Sequence, residues 1–141
     1  SVSLKGDIID QNGLKVGEHK GLHHFTVGQR TGLGVALGER MYVKRLNKEL
    51  NQVEIAPRPG VFSDKCNVSD IHWINNISVN NILKCEVRPR YRSAGSFAKI
   101  VIDNDCAEII FDSPQFALAP GQAAVFYKND EVLGGGWIST H

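Results

Sequence analysis

The sequence has few cysteines, no long apolar run and almost no imbalance between positive and negative charge. No stretch approaches the roughly eighteen apolar residues of a transmembrane helix, so we expect no membrane association. The three cysteines lie far apart and form no CxxC pair, which argues against a disulfide framework and favours a reducing cytoplasm. Sixteen basic against fifteen acidic residues exclude a protein that binds polyanions over its whole surface.

Motifs of common catalysts are also missing. The chain has no Gly-x-Ser-x-Gly sequence, no paired-carboxylate motif and no recognisable catalytic triad. Cys85 and Cys106 lie in apolar strand patterns, which indicates buried, inert thiols, whereas Cys66 lies in a turn-like region and could be exposed. By itself the chain does not have the features of a catalyst.

Two segments could carry ligand chemistry but favour simpler interpretations. His19, His23 and His24 could include metal ligands, yet the residues between them do not favour a helix and no third ligand follows nearby, so we predict no metal site. The glycines from Gly32 to Gly38 resemble a phosphate-binding loop. A strand rather than a helix is predicted after them, so we predict no nucleotide binding there.

The glycine content and the turn residues between short apolar runs predict a mainly β protein. We predict two small β domains, residues 1–81 and 82–141, with a boundary near Asn81 and a C-terminal β-barrel. Asn12-Gly13 predicts a type I′ hairpin turn, and the segment from Phe25 to Arg30 predicts one helical turn capped by Thr26. The predicted strands span residues 6–10, 14–18, 41–46, 52–55, 83–87, 98–102, 107–111, 123–127 and 137–139.

Charge is strongly polarised in the second half. Between Lys84 and Lys99 there are five basic residues and one acidic residue, whereas six acidic residues and one basic residue lie between Asp103 and Glu131. On an extended segment Arg88, Arg90 and Arg92 share one face. These three guanidinium groups could contact phosphates, or they could pair with the acidic segment across the sheet.

Several blocks of sequence resemble a known family. Gly17 to Gly34 reads GEHKGLHHFTVGQRTGLG, which is similar to a signature of tRNA-specific 2-thiouridylases. Arg90-Tyr91-Arg92, the segment around Pro120-Gly121-Gln122, and Leu133 to Ile138 match further family elements in the same order. The resemblance runs from about Gly6 to Ile138.

The resemblance implies the family's central β domain and its C-terminal barrel, the latter similar to the second domain of elongation factor Tu. Family members make 2-thiouridine at the tRNA wobble position, using ATP with magnesium and sulfur from a cysteine persulfide. The ATP-binding SGGxDS motif and the two catalytic cysteines lie N-terminal to this region in the family. Because the chain starts at Ser1 without an initiator Met, we expect it to be part of a longer protein and inactive alone.

The resulting hypothesis is a monomeric, cytoplasmic tRNA-binding portion whose partners are tRNA and a sulfur-relay persulfide carrier. No catalytic residue, metal or cofactor is predicted in this chain. Two alternatives remain open: a β module that docks the sulfur carrier without touching RNA, and a free-standing nucleotide-binding enzyme. The candidate tRNA-binding residues are Lys20, Gln29, Arg30, Lys44, Arg45, Arg88, Arg90 and Arg92.

Overall fold

A computed structural model of the chain describes residues 4–32, 37–74, 81–88 and 95–140. These residues form ten β-strands and two short 3-10 turns, Leu22–His24 and Arg58–Val61, which confirms the mainly β fold class. The chain divides into two compact units, residues 1–62 and 63–141. In the described ranges no helix has the length and apolar character needed to cross a membrane.

The first unit is built on one four-stranded sheet. Its strands are β1 (Gly6–Ile9), β2 (Lys15–His19), β3 (Met41–Asn47) and β4 (Gln52–Pro57), in the order β2-β1-β4-β3. The two predicted hairpins are present, and parallel pairing of β1 with β4 joins them. The apolar core of the sheet is formed by Ile8, Met41, Val43, Val53 and Ile55.

The first hairpin turns differently from the prediction. A type I′ turn needs positive φ at both central residues, but only Gly13 has one, at 82°. The Asp10 carboxylate instead accepts hydrogen bonds from the backbone N–H groups of Asn12 and Leu14, at 2.9 Å each. This side-chain capping closes a longer turn, so the type I′ prediction is wrong.

The helical turn predicted from Phe25 to Arg30 is also wrong. The N–H of Gln29 donates to the carbonyl oxygen of Thr26 at 3.0 Å, which closes a β-turn. Gly28 has a φ of 94° in this turn, a value that glycine adopts without steric cost. The short 3-10 turn of this region lies earlier, at Leu22–His24.

The second unit is a closed six-stranded barrel, which confirms the predicted barrel. Its order is β10-β5-β8-β7-β6-β9, and closure brings β9 back to β10. Alternate residues face inward, as expected for a closed sheet. Phe126, Ile100 and Ile109 are completely buried at its centre. The strands are β5 (Phe62–Trp73), β6 (Ile82–Arg88), β7 (Ser96–Asp103), β8 (Cys106–Phe116), β9 (Ala123–Lys128) and β10 (Glu131–Thr140).

The division between the units falls between Phe62 and Ser63, not near Asn81. Strand β5, which the predicted boundary places in the first domain, pairs with β10 as part of the barrel. The sequence of β5 does not alternate cleanly, because Asp70 adopts a φ of 54° and inserts an extra residue opposite β10. The inward-facing residues are Cys66 and Val68 before Asp70 and Ile71 after it. The alternation therefore changes phase within the strand, and the sequence does not show one continuous period-2 pattern.

Strand β10 closes the barrel through three consecutive glycines. A Cβ on Gly134 would lie 2.6 Å from the carbonyl oxygen of His72, and one on Gly136 would lie 2.5 Å from that of Ser69. A Cβ on Gly135 would lie 3.0 Å from the carbonyl oxygen of Ala124. Only residues without a side chain allow the neighbouring backbones to approach this closely.

We therefore expect Gly136→Ala to destabilise the chain. The added Cβ must displace β10 or β5, at a cost of about 1–3 kcal/mol in the free energy of unfolding. Urea unfolding followed by circular dichroism measures this loss. The control is Gly32→Ala, where a Cβ meets nothing within 4 Å. Equal stability of the two variants would contradict the steric account of barrel closure.

Candidate nucleic-acid interface

Gln29 and Arg30 lie on a segment that extends the sheet beyond β3. The N–H of Gly28 donates to the carbonyl oxygen of Val43 at 2.7 Å, and the N–H of Val43 donates to that of Gln29 at 2.8 Å. Arg30 lies opposite Tyr42 in the same pairing. The backbone of this segment is therefore held by β3, while both candidate side chains are exposed.

The side chain of Gln29 has a structural contact of its own. Its Oε1 accepts a hydrogen bond from the N–H of Thr26 at 2.9 Å and so stabilises the turn. Only the amide nitrogen then remains as a donor for a ligand. Arg30, by contrast, takes part in none of the ion pairs of the described residues.

Lys44 and Arg45 are brought to the same carboxylate by a bulge in β3. Val43 pairs with Ile55 and Arg45 pairs with Glu54, so Lys44 is the extra residue. Lys44 Nζ lies 3.8 Å from Glu54 Oε2, and Arg45 Nη1 lies 3.6 Å from Glu54 Oε1. One carboxylate thus partly compensates two cations, and the site keeps a net positive charge.

Of the histidines, His19 is buried and its two ring nitrogens are both used within the protein. The N–H of Gly21 donates to Nδ1 at 3.0 Å, and Nε2 lies 2.9 Å from the carbonyl oxygen of Asn51. Since Nδ1 accepts, Nε2 carries the proton and donates to Asn51. This is the hydrogen-bonded role that the sequence favoured. No group of three potential metal ligands occurs in residues 4–32, 37–74, 81–88 and 95–140.

Arg88 lies at the end of β6 and is held by three neighbours. Its Nε donates to Glu86, its Nη2 lies 3.4 Å from Asp130 Oδ1, and its guanidinium carbon lies 4.0 Å from the centre of the Tyr127 ring. The hydrogen bond to Glu86 raises the pKa of Arg88 above its usual value. Asp130 belongs to the acidic segment between Asp103 and Glu131. Arg88 therefore pairs with that segment, which was one of the two interpretations of the arginines.

The structure brings together only part of the predicted set. Lys20 is exposed immediately after β2. Arg90 and Arg92 lie outside the described residues, as do residues 33–36 of the glycine-rich segment. A Cβ on Gly95 would lie 2.2 Å from the Glu86 side chain, so Gly95 packs against the partner of Arg88.

Sequence reasoning assigned no role to Lys84 and Lys99, which face each other directly across β6 and β7. The sequence does contain an indication of their role, because both lysines belong to the basic segment that they delimit. Only the pairing register, however, shows that the two charges are opposite each other.

The cysteines are distributed differently from the prediction. Cys85 is buried as expected, but Cys66 is buried and Cys106 is exposed. Cys66 faces the barrel interior from β5, whereas Cys106 starts β8 on the outward side of the alternation. Burial raises the pKa of Cys66 to about 12 and that of Cys85 to about 11. For Cys106, desolvation followed by the carboxylate of Asp105 raises the pKa.

Comparison with protein families identifies both units. A sequence model described as the aminomethyltransferase β-barrel domain matches residues 63–138, and one described as the tRNA methyl transferase PRC-barrel domain matches residues 2–57. The chain therefore belongs to the family of proteins with this C-terminal β-barrel domain. The barrel match begins at residue 63, where the second compact unit begins.

Within that family, the resemblance to tRNA-specific 2-thiouridylases is confirmed. The chain is 41% identical over 134 residues to tRNA-specific 2-thiouridylase MnmA of Nostoc punctiforme, a match that covers 94% of the chain and 38% of the relative. It is 42% identical to the proteins of that name from Trichormus variabilis and Synechocystis sp., over 95% and 94% of the chain. These matches cover 38% and 37% of the two relatives. The chain thus spans less than two fifths of the length of these relatives.

The three thiols are predicted to differ in their reactivity. In the folded chain at pH 8 we expect a maleimide to label Cys106 first, because Cys66 and Cys85 are buried and only about one thousandth or less of each is thiolate. The raised pKa of Cys106 means that its labelling rate keeps increasing with pH through the alkaline range.

Mass spectrometry of time points measures the order of labelling. In Cys106→Ser the fast phase should disappear, whereas unfolding in urea should make all remaining thiols reactive. Fast labelling of Cys66 in the folded chain would show that the arrangement of β5 is wrong.

Proposed function

We propose that this chain holds and orients tRNA for thiolation of the wobble uridine. The observation that carries the proposal is the match of nearly the whole chain, at 41–42% identity, to proteins named tRNA-specific 2-thiouridylase. A cytoplasmic, monomeric protein fits this role. A sulfur-relay persulfide carrier would be its second partner.

The chemical steps belong, in this proposal, to the part of the relatives that the chain does not match. Activation of the uridine C2 oxygen needs ATP with magnesium, and sulfur transfer needs two cysteines that become accessible thiolates. The chain has no SGGxDS motif. Two of its three cysteines are buried, and the third is beside a carboxylate that disfavours the thiolate. We therefore expect the chain to be inactive alone.

Arg90 and Arg92 are the proposed phosphate contacts of the second half of the chain, and Arg88 has a different role. Its charge is shared with Glu86 and Asp130, and its guanidinium stacks on Tyr127. Because these contacts hold the last residue of β6, Arg88 would position the segment that carries the other two arginines. Phosphate contacts of this kind set orientation without reading bases.

In the first unit, the exposed cations Lys20 and Arg30 are the simplest candidates for phosphate contact. Lys44 and Arg45 contribute the excess charge that Glu54 leaves uncompensated. Gln29 would donate through its amide nitrogen, since its oxygen is occupied by Thr26. Arginine suits this role because its planar guanidinium can hold a phosphate through two hydrogen bonds.

Salt dependence of tRNA binding tests the arginine assignment. For Arg90→Ala with Arg92→Ala, we expect weaker binding and a flatter plot of log K against log[salt], by roughly 0.7–0.9 for each lost phosphate contact. Filter binding of an unmodified tRNA transcript to the whole chain provides the measurement. Lys65→Ala is the control, since Lys65 is exposed elsewhere on the barrel.

An unchanged affinity and slope would show that Arg90 and Arg92 do not contact RNA. If the chain captures a persulfide carrier but shifts no tRNA even at low salt, the alternative of a protein-docking module is correct.

Removing the carboxylate that binds Lys44 and Arg45 should change tRNA affinity in the opposite direction, towards tighter binding. Glu54→Gln leaves both cations uncompensated, so we expect tighter tRNA binding and a steeper salt slope. The same filter-binding titration measures both. Glu49→Gln is the control, because Glu49 is exposed in the neighbouring turn and belongs to none of the described ion pairs. Weaker binding by Glu54→Gln alone would exclude these two cations from the interface.

A further inference from the structure

We propose that the outer face of β6 and β7 is an RNA-binding surface in which Lys84 and Lys99 hold one phosphate and Phe97 stacks on an adjacent base. This inference rests on the proposed function, since it names a further part of the tRNA-binding surface. It uses none of the residues assigned to that function above.

The two lysines occupy an electrostatically unfavourable arrangement. Lys84 and Lys99 are direct partners in the antiparallel register and are both exposed. Side chains in such a pair have Cβ atoms about 4.5–5.5 Å apart, and like charges there destabilise a sheet. A phosphate placed between the two ammonium groups would remove this repulsion.

No carboxylate of the described residues performs that neutralisation. The nearest acidic residue on β6 is Glu86, which is engaged by Arg88. On β8, Ile110 is the partner of Lys99, and the exposed residues Glu108 and Asp112 lie two positions to either side of Ile110, diagonal to Lys99. Neither lysine is in an ion pair with a described residue. The positive charge at this point of the barrel is therefore available to an external anion.

An exposed aromatic ring lies beside the lysine pair. Phe97 is 65% exposed and is two residues from Lys99 on β7, so both side chains leave the same face. Its cross-strand partner is Glu86, whose carboxylate is held by Arg88, so the partner position holds no apolar side chain that would cover the ring. Basic side chains next to an open aromatic ring are the combination that binds a phosphate and stacks on an unpaired base.

A protein partner would have to bury the two lysines of this face. Apolar side chains also lie on its other side, where Ile82 pairs with Val101, and Ile82 is 61% exposed. In a dry protein interface, however, two opposed lysines at the centre would be buried without a counter-charge. A solvated polyanion neutralises them without that cost, so RNA is the occupant that the charges favour.

Two variants of the whole chain test the proposal by titration with an unmodified tRNA transcript at several salt concentrations. For Lys84→Gln with Lys99→Gln, we expect the salt slope to fall by roughly 0.7–0.9, as for one lost phosphate. For Phe97→Ala we expect roughly 5- to 150-fold weaker binding with an unchanged slope, since stacking involves no counterion. Lys65→Gln and Ile74→Ala are matched controls, because Lys65 is also exposed and Ile74 is also 65% exposed.

Thermal unfolding separates loss of a contact from loss of the fold. Because the lysine pair is repulsive, the double glutamine variant should unfold at the same temperature as the parent chain or higher. If tRNA binds but neither variant changes affinity or slope, the surface assignment is wrong and the proposed function stands. If only Phe97→Ala has no effect, the stacking assignment is wrong. If the parent chain shifts no tRNA at low salt, the proposed function fails together with this inference.

Discussion

Closure of the six-stranded barrel depends on the backbone contacts of β10 with β5 on one side and β9 on the other. The glycines from Gly134 to Gly136 make these contacts possible, since a side chain at any of them would meet a neighbouring backbone. Closure buries Phe126 completely and stacks Trp73 on it, with ring centres 5.4 Å apart. The outer face of β6 and β7 therefore keeps its arrangement only while β10 holds the barrel closed.

On the outer surface of the barrel, the balance of charge decides which cations are available to a ligand. Arg88 is compensated by Glu86 and Asp130 and supports the structure around it. Lys84 and Lys99 oppose each other without a described counter-charge. Exposed ion pairs contribute about 1 kcal/mol or less to stability, so the absence of such a pair at Lys84 and Lys99 costs the fold little. The two lysine charges matter more for the electrostatic field that a polyanion meets on approach.

Much of the fold could be predicted because it depends on local sequence. Asn129 and Asp130 connect β9 to β10, and both have the positive φ that asparagine and aspartate tolerate in tight turns. The alternation predicted a strand over residues 98–102, and the regular pairing of β7 places Ala98, Ile100 and Ile102 inside. The blocks of the thiouridylase signature identified the family because they combine residue types and spacing over a long stretch.

The two turn predictions failed on local hydrogen bonds, whereas the boundary between the units and the partners of the cations depend on contacts distant in sequence. Asp70 interrupts the pattern of β5, so the strand and the boundary between the units were missed. The burial of Cys66 follows from that strand, and the exposure of Cys106 follows from its pairing with Asp103 across a tight turn. For the candidate site, the residue types could be predicted but their partners could not, because the second carboxylate on Arg88 comes from 42 residues along the chain.

The sequence by itself thus determined the family, the β class and the polarised charge of the second half, since these depend on residue identity and short-range order. Only the tertiary structure decided which strands close the barrel and which cations retain an uncompensated charge. The physical reason is that strand register places residues opposite one another across the sheet. Arg88 meets Glu86 from its own strand and Asp130 from a turn 42 residues away, whereas Lys84 meets another cation because the register places it opposite Lys99.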